Sequence, residues 1–178
     1  QLIVSEQDEL EAAETRFNLN TGMRRGEVCI LEKRRVGRDE VEVLTPKTDN
    51  TGVYVRNVSL SEGAQEARER ILWKSEGGAL FFAPRHKDTW SNRFRVSRDR
   101  AAQNLLDQGK EVSNGLQKGT FHWLRHTYIS GLVNDARMPL PIVQQLAGHS
   151  DVNTTMKYVH TTPEHMKEAA RAFSHLGY

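Results

Sequence analysis

The chain has 178 residues, of which 37% are hydrophobic and 27% are charged, and its formal net charge is +2. This length and composition are ordinary for one soluble globular domain, and no apolar run approaches the roughly 20 residues that span a bilayer. The single cysteine, Cys29, excludes an internal disulfide framework and fits a reducing compartment, so we predict a cytoplasmic protein.

Charge is unevenly distributed along the chain. Residues 1–16 hold five acids against one base, which leaves a net charge of +6 on the remaining residues. A basic body suits a polyanionic partner, although many proteins that bind no polyanion are equally basic. Because the sequence begins at Gln1 and not at Met, we expect a fragment that lacks an N-terminal partner domain.

The first predicted elements are two helices. Acids, alanines and spaced apolar residues predict a helix over residues 5–19. Gly22 allows a tight turn into a second helix, which would place Arg24 in the first turn. Helix N-termini favour anions, and an arginine there strengthens the preference, although arginine is common at such positions.

Between residues 36 and 60 the pattern changes to the alternation of strands. The alternating β-branched residues are Val41, Val43, Val53 and Val55. Turn signals lie between them, so we predict an antiparallel sheet of two or three strands. Residues 61–75 return to a helical pattern with Ser61 as the N-cap.

The C-terminal half is predicted to be helical. Asp88 or Thr89 can cap a helix whose apolar stripe includes Trp90 and Phe94, which we expect to be core residues. Residues 109–119 are predicted to form a loop. Further helices are predicted over residues 122–134, from Pro141, over residues 153–161 and from Pro163. The predicted fold class is α+β: a mostly α-helical single domain over residues 1–178 with a small antiparallel β-sheet.

Two helical stretches carry side chains that suit phosphate chemistry. In HWLRHTYIS, His122 and Arg125 are three residues apart and share a helix face. A guanidinium offers a planar charged fork, and an imidazole offers a hydrogen bond or a proton. A partly exposed helix face with one ion-pairing arginine would have the same spacing.

Tyr158 lies nine residues after His149 in the stretch LAGHSDVNTTMKYVH. The reference pKa of tyrosine is about 10, so ionising it at pH 7 costs roughly 4 kcal/mol. A nucleophilic tyrosine therefore needs cationic neighbours or a base close by. A single tyrosine on a helix is otherwise a core or interface residue.

Taken together, these stretches resemble the tyrosine recombinase (phage integrase) family over about residues 17–173. The matching pattern is TGxRxxE, then HxxRHT, then GH followed nine residues later by tyrosine. The resemblance implies the catalytic domain of an enzyme for site-specific DNA recombination. It also implies strand cleavage through a 3′-phosphotyrosyl link, without metal, ATP or another cofactor, in the nucleoid of a bacterial host.

The resemblance also assigns the site. Arg24 and Arg125 would clamp the scissile phosphate, and Tyr158 would attack phosphorus. His122 would hydrogen-bond the phosphate or take the tyrosine proton, and His149 would be a further phosphate donor. Glu27 would orient a neighbouring arginine without reacting.

The leaving 5′-oxygen needs a proton, which the family takes from a lysine on a hairpin loop of the sheet. Lys47 matches this position, although the stretch from there to the strand end is a few residues longer than is common. Lys33, or no lysine, therefore remains open. His126 and His160 match no catalytic role, and we expect packing or a backbone contact for His126.

DNA contact is expected to extend beyond the site. The basic residues assigned to it are Lys33, Arg34, Arg35, Arg85, Lys87, Arg93 and Arg95. Some of these residues could equally belong to a solvent-exposed helix face that binds no DNA. The expected partners are double-stranded DNA and three further copies in a homo-tetramer, with residues 163–178 as a possible protomer-linking helix. That helix could equally dock on its own domain.

Three rival functions remain at this point. A type IB topoisomerase shares the chemistry but relaxes supercoils, and a catalytically silent DNA-binding module would share only the fold. A metallohydrolase is suggested by the i, i+4 spacing of His122 and His126, but the stretch lacks the glutamate of HExxH.

Overall fold

The computed structural model describes residues 2–46, 52–74, 79–82 and 87–160, together with residues 167 and 171. Its helices are α1 (Glu9–Thr21), α2 (Arg25–Ile30), α3 (Glu62–Lys74), α4 (Lys87–Asp107), α5 (Asn114–Lys118), α6 (His122–Ser130), α7 (Leu140–Ala147) and α8 (Val152–Met156). Its strands are β1 (Glu40–Pro46) and β2 (Val53–Ser59). A π-helical turn, Gly131–Asp135, continues α6, and short 3-10 turns occupy Val4–Glu6 and Lys33–Arg35. Among the described helices, none has the length and apolar character that crossing a bilayer requires.

The predicted α+β class is confirmed, and four local predictions are wrong. The helix predicted over residues 153–161 ends at Met156, so Tyr158 lies after it. Arg24 is the N-cap of α2, in an extended conformation, and does not lie in the first turn. The helix predicted from Asp88 or Thr89 already begins at Lys87, so both residues lie inside α4. The predicted loop over residues 109–119 contains α5, because the Ser113 hydroxyl accepts a hydrogen bond from the Leu116 amide at 3.2 Å and starts a helical turn.

The sheet is a two-stranded antiparallel ribbon. Its register pairs Val41 with Val58 and Val43 with Arg56. Because side chains alternate between faces, these four residues share one face, and all four are buried. Val53 and Val55 lie on the other, exposed face of β2. The ribbon therefore turns one arginine, Arg56, into the interior.

An aromatic chain runs through the main core. The ring centroids of Phe17 and Phe81 are 4.9 Å apart, those of Phe82 and Trp90 are 5.4 Å apart, and those of Trp90 and Phe121 are 5.7 Å apart. These tilted and edge-to-face contacts join α1, residues 79–82, α4 and the start of α6. The prediction that Trp90 and Phe94 are core residues is confirmed, because both are buried.

A second, smaller core holds the C-terminal helices. Ile129 of α6 and Val143 and Ala147 of α7 are fully buried together, and Tyr128 and Tyr158 pack against them. This cluster fixes the C-terminal end of α7 beside α6 and holds the segment that carries Tyr158.

Gly22 makes the turn between α1 and α2. Its φ of 60° lies in the left-handed region, and its amide donates to Asn18 O at the end of α1. A Cβ here would lie only 2.3 Å from Cδ1 of Tyr128. Only glycine lets α1 end this close to α6, and the turn delivers Arg24 to the space between them.

Candidate active site

Two arginines from distant parts of the chain bind the C-terminal end of α7. Nη2 of Arg24 donates to Gly148 O at 2.8 Å, and Nη2 of Arg125 donates to Ala147 O at 2.7 Å. The last carbonyls of a helix have no partner within the helix and lie at the negative end of its dipole, so they attract cations. These carbonyls therefore bring Arg24, Arg125 and the following residue, His149, into one cluster.

Arg125 is the more buried of the two arginines. Its guanidinium also donates to Gly22 O at 2.7 Å, and the residue is 3% exposed. Burial, together with the charge of Arg24, lowers the pKa of Arg125 to about 10, so the group remains cationic at neutral pH. Two of its N–H groups are fixed by carbonyls, and the others can bind an anion without reorganising.

Glu27 holds the arginines in place. Its Oε1 accepts from Nη1 of Arg24 at 2.9 Å and from the Thr45 hydroxyl at 2.5 Å, and its Oε2 accepts from the Arg24 amide at 2.8 Å. Arg56 donates to both carboxylate oxygens, at 2.9 and 2.7 Å. Burial alone would raise the pKa of Glu27, but the hydrogen bonds and charge of Arg56 lower it to about 2. The orienting contact expected with one arginine is made with two.

Arg56 belongs to the site and was missed in the sequence. It is 3% exposed, and besides Glu27 it binds Leu146 O through Nε at 2.9 Å. It thus links β2, α2 and the end of α7. Gly148 has a φ of 63°, in the left-handed region, and packs against the Arg56 side chain. A Cβ at this position would lie 3.1 Å from Cδ of Arg56. A sequence signal for Arg56 was the alternation of side chains along a strand. Arg56 is two residues before Val58, so both side chains lie on the buried face of β2.

His149 follows the left-handed turn at Gly148. Its Nδ1 lies 2.9 Å from the Thr155 hydroxyl at the end of α8. Burial and then the charges of Arg125, Arg24 and Arg56 lower the pKa of His149 to about 4, so the ring is neutral at pH 7. When Nδ1 accepts from Thr155, the proton of the neutral ring is on Nε2, which can donate to a phosphate oxygen.

His122 lies at the start of α6 and is exposed. Burial of part of the ring, followed by the charges of His126, Arg125 and Arg24, lowers the pKa of His122. It borders a cavity of about 590 Å³ whose other lining residues include Arg25, Ser91, Arg95 and Arg98. His122 thus lies at the solvent edge of the cluster, beside a basic groove.

Tyr158 follows α8 and reaches the same cluster. Its ring stacks on His149, with centroids 6.3 Å apart and planes at 20°. Burial raises the pKa of Tyr158, and the charge of Arg125 opposes this only in part. The hydroxyl is therefore protonated at neutral pH, as an unactivated tyrosine is.

The packing expected for His126 is observed, with its ring centroid 4.8 Å from that of His122, but the expectation was incomplete. The Nδ1 of His126 lies 2.7 Å from the Tyr158 hydroxyl, so the ring makes a side-chain hydrogen bond and not merely a packing or backbone contact. The reason is its place on α6, one turn after His122, on the side that faces Tyr158. Adjacency to Arg125 in the sequence carried no signal about which residue it would face.

Several predicted residues lie outside the described part of the chain. Lys47 and Arg85 are among them, as is most of the predicted linking helix, residues 163–178. Lys87 is described only as the first residue of α4. Lys33, the alternative to Lys47, lies in the 3-10 turn after α2, where its amide donates to Ala79 O at 2.8 Å.

The remaining basic residues differ in how far acids neutralise them. Arg93 of α4 binds both Asp8 and Glu11 at 3.1 Å, so the acidic N-terminal segment compensates its charge. Arg34 and Arg35 bind Glu32, and Arg35 also binds Glu42. The side chains of Arg34 and Arg95 are 75% and 56% exposed, and these two present the most accessible charge.

The His122 and His126 pair does not extend into a metal-binding set. The two rings pack edge to face with centroids 4.8 Å apart. Across the described ranges, no group of three His, Cys, Asp or Glu side chains is arranged to hold a metal ion. A catalytic zinc site takes three protein ligands, so this pair lacks a third within those ranges.

His149 is expected to lower the stability of the protein as the pH falls from 6.5 towards 4.5. Its pKa is 6.5 when unperturbed and about 4 in the fold. Between these values His149 is protonated in the unfolded chain and neutral in the folded chain, so acid favours the unfolded chain. We expect the free energy of unfolding to fall by about 1–2 kcal/mol, discounted for the partial exposure of the ring. Urea unfolding across this range checks it. A His149→Asn variant should depend less on pH, and an unchanged slope would contradict the prediction.

Comparison with known proteins matches nearly the whole chain to one family. The family model described as "Phage integrase family" matches residues 4–165. The chain is 26% identical over 160 residues to the integrase of Salmonella phage P22, covering 87% of this chain and 40% of that protein. It is 27% identical over 154 residues to tyrosine recombinase XerC of Bacillus pumilus (strain SAFR-032), covering 83% of this chain and 48% of that protein. The chain thus spans less than half the length of either relative.

A solved structure shares the fold. The Tn1549 transposon integrase, in complex with transposon right end DNA, superposes with a TM-score of 0.74 at 18% identity, over 97% of this chain and 63% of that one. At this identity the likeness concerns the fold alone. The resemblance seen in the sequence is confirmed by the family match, which covers nearly the whole chain. The chain belongs to the phage integrase family, the tyrosine recombinases.

Proposed function

We propose that this chain is the catalytic part of a site-specific recombinase, which cuts and rejoins double-stranded DNA through a 3′-phosphotyrosyl link. The observation that supports this most is the meeting of Arg24, Arg125, His149 and Tyr158 at the C-terminal end of α7. These residues come from four separate segments, and the fold brings the two guanidiniums, the imidazole and the tyrosine ring into one cluster.

In the proposed reaction the scissile phosphate lies between Arg24 and Arg125. Their remaining N–H groups, with His122 and His149, stabilise the charge that builds up on the non-bridging oxygens. The Tyr158 oxygen bonds to phosphorus while the bond to the 5′-oxygen breaks, and the leaving oxygen takes a proton, for which Lys47 is the proposed donor. Rejoining is the reverse attack by a 5′-hydroxyl. The bond energy stays in the protein–DNA link, so the reaction as proposed uses neither ATP nor a metal.

The DNA duplex is proposed to run over the basic groove beside His122. The exposed side chain of Arg95, which lines this groove, supports the path. Further proposed contacts are Lys33, Arg34, Arg35, Arg85, Lys87 and Arg93. We further propose that four copies assemble on two duplexes and are linked through residues 163–178. The proposed location is the bacterial cytoplasm. Phosphate contacts of this kind predict binding that weakens steeply with salt.

Covalent capture on randomised DNA tests the function and finds the recognised DNA sequence in the same experiment. The protein is incubated with a pool of nicked duplexes whose central sequence is randomised, so that cleavage releases a short strand and traps the adduct. We expect a covalent protein–DNA band, a common sequence among the captured duplexes, and attachment at Tyr158 by peptide mapping. The Tyr158→Phe variant should bind the captured duplex and form no adduct.

The rival functions give different results in the same assay. A silent DNA-binding module would form no adduct, and an adduct on the Tyr158→Phe variant would remove this residue from its proposed role. Relaxation of a supercoiled plasmid without strand transfer between two captured duplexes would favour a topoisomerase.

A further inference from the structure

The hydrogen bond between His126 and Tyr158 is anchored at both ends. His126 lies in α6, and Asn134 of the following π-helical turn donates from Nδ2 to Tyr158 O at 2.9 Å. Oδ1 of the same asparagine accepts from the His160 amide at 3.2 Å. The Tyr158 amide also donates to Thr155 O at 3.0 Å. One continuous helical segment therefore holds both the imidazole and the main chain of the tyrosine, which fixes their separation.

The neighbouring imidazoles are engaged elsewhere. The Nδ1 of His149 faces the Thr155 hydroxyl, and its ring meets Tyr158 by stacking. His122 packs its ring against His126, and among the described residues no hydrogen bond joins it to Tyr158. In that part of the chain, His126 is the side chain that hydrogen-bonds the hydroxyl, at 2.7 Å. This is within the distance that a general base needs.

We propose that His126 is the base that takes the proton from the Tyr158 hydroxyl when its oxygen attacks phosphorus; this inference rests on the proposed function. The oxygen–phosphorus bond forms as the proton passes to Nδ1, and the bond from phosphorus to the 5′-oxygen breaks with its electron pair on that oxygen. The leaving oxygen takes its proton from a separate acid. On rejoining, His126 returns its proton to the phenolic oxygen. His122 is then left to bind the phosphate.

Two substitutions separate a base from a hydrogen-bonding support. The amide of a His126→Asn variant can occupy the place of Nδ1 and accept a hydrogen bond, but it takes up no proton near neutral pH. A His126→Phe variant keeps a ring and loses the hydrogen bond. Because His126 is exposed, neither change creates a core cavity. His160→Asn is the matched control, since it changes an exposed histidine whose amide, and not its ring, makes the contact with Asn134.

The substrate separates the two proton transfers. Single-turnover rate constants are measured on the nicked duplex recovered by covalent capture, and on the same duplex with sulfur in place of the scissile 5′-oxygen. Thiols have a pKa of about 8.5, so a thiolate leaves without a proton and the sulfur duplex needs no acid. A base acting on the tyrosine is needed for both duplexes.

We expect both His126 variants to form the adduct about 10²-fold more slowly or worse on both duplexes, and the control to keep the wild-type rate. The inference is overturned if His126→Asn keeps the wild-type rate, if either variant is faster, or if the sulfur duplex restores the rate. A wild-type protein that forms no adduct overturns the proposed function as well. Wild-type adduct with an unimpaired His126→Asn variant overturns this inference alone.

Discussion

An Arg125→Gln variant is expected to form the covalent DNA adduct at least ~10³-fold more slowly than the wild type. The guanidinium is fixed by Gly22 O and Ala147 O before any phosphate arrives, so its charge is already in place when the transition state forms. A neutral glutamine cannot supply that charge. The variant also leaves at least one of two buried carbonyls without its donor, which should lower the free energy of unfolding by about 1–3 kcal/mol.

Single-turnover cleavage of a captured duplex and urea unfolding measure these two effects separately. Arg70→Gln is the matched control, because it removes the same charge from an exposed position of α3, where Arg70 lies 3.9 Å from Glu9. It should change neither quantity appreciably. Equal slowing by both variants would mean that net charge, and not the position of Arg125, sets the rate.

A Glu27→Gln variant is expected to lose about 3–5 kcal/mol of stability. The carboxylate is buried between Arg24 and Arg56, and the amide that replaces it leaves the buried charge of Arg56 without an opposite charge. Adduct formation should slow as well, because glutamine keeps only one accepting oxygen and Arg24 loses one of the two contacts that hold its guanidinium and its amide. Urea unfolding at neutral pH measures the first effect.

The pH dependence of stability provides a second measurement for Glu27. Its pKa is 4.5 when unperturbed and about 2 in the fold, so the stability it contributes is present above pH 4.5 and is lost as the pH falls towards 2. The Glu27→Gln variant should lack this loss. Glu32→Gln is the control: its carboxylate binds Arg34 and Arg35 near the surface, and removing it should cost less than about 1 kcal/mol. A similar loss of unfolding free energy in both variants would contradict the claim that the buried contacts of Glu27 stabilise the fold.

Local patterns in the sequence were sufficient where an element depends on its own residues. The helix over residues 61–75 was predicted from its periodicity and from Ser61, whose hydroxyl accepts from the Ala64 amide at 3.3 Å. The helix beginning near Pro141 and the strands containing Val41 and Val43 were predicted for the same reason. The periodic apolar residues that predict a buried face lie within a short stretch of sequence. They can therefore be recognised without knowledge of the rest of the fold.

Boundaries were less predictable than elements. Arg24 differs from its predicted position by one residue, yet as N-cap its extended backbone lets its amide donate to Glu27 and lets its side chain turn towards Gly148. The short α5 depends on one serine hydroxyl. Such ends are decided by single hydrogen bonds, which periodicity does not resolve.

The family and the fold class could be predicted from the amino acids alone. Candidate catalytic positions could be predicted as well, because these residues lie in short sequence motifs with fixed spacing. The partners of these residues became visible only in the folded chain. Arg56 is 29 residues from Glu27 and 90 from Leu146, and His126 is 32 residues from Tyr158. A hydrogen bond between such distant residues depends on how strands and helices pack, and a local pattern contains no information about that packing.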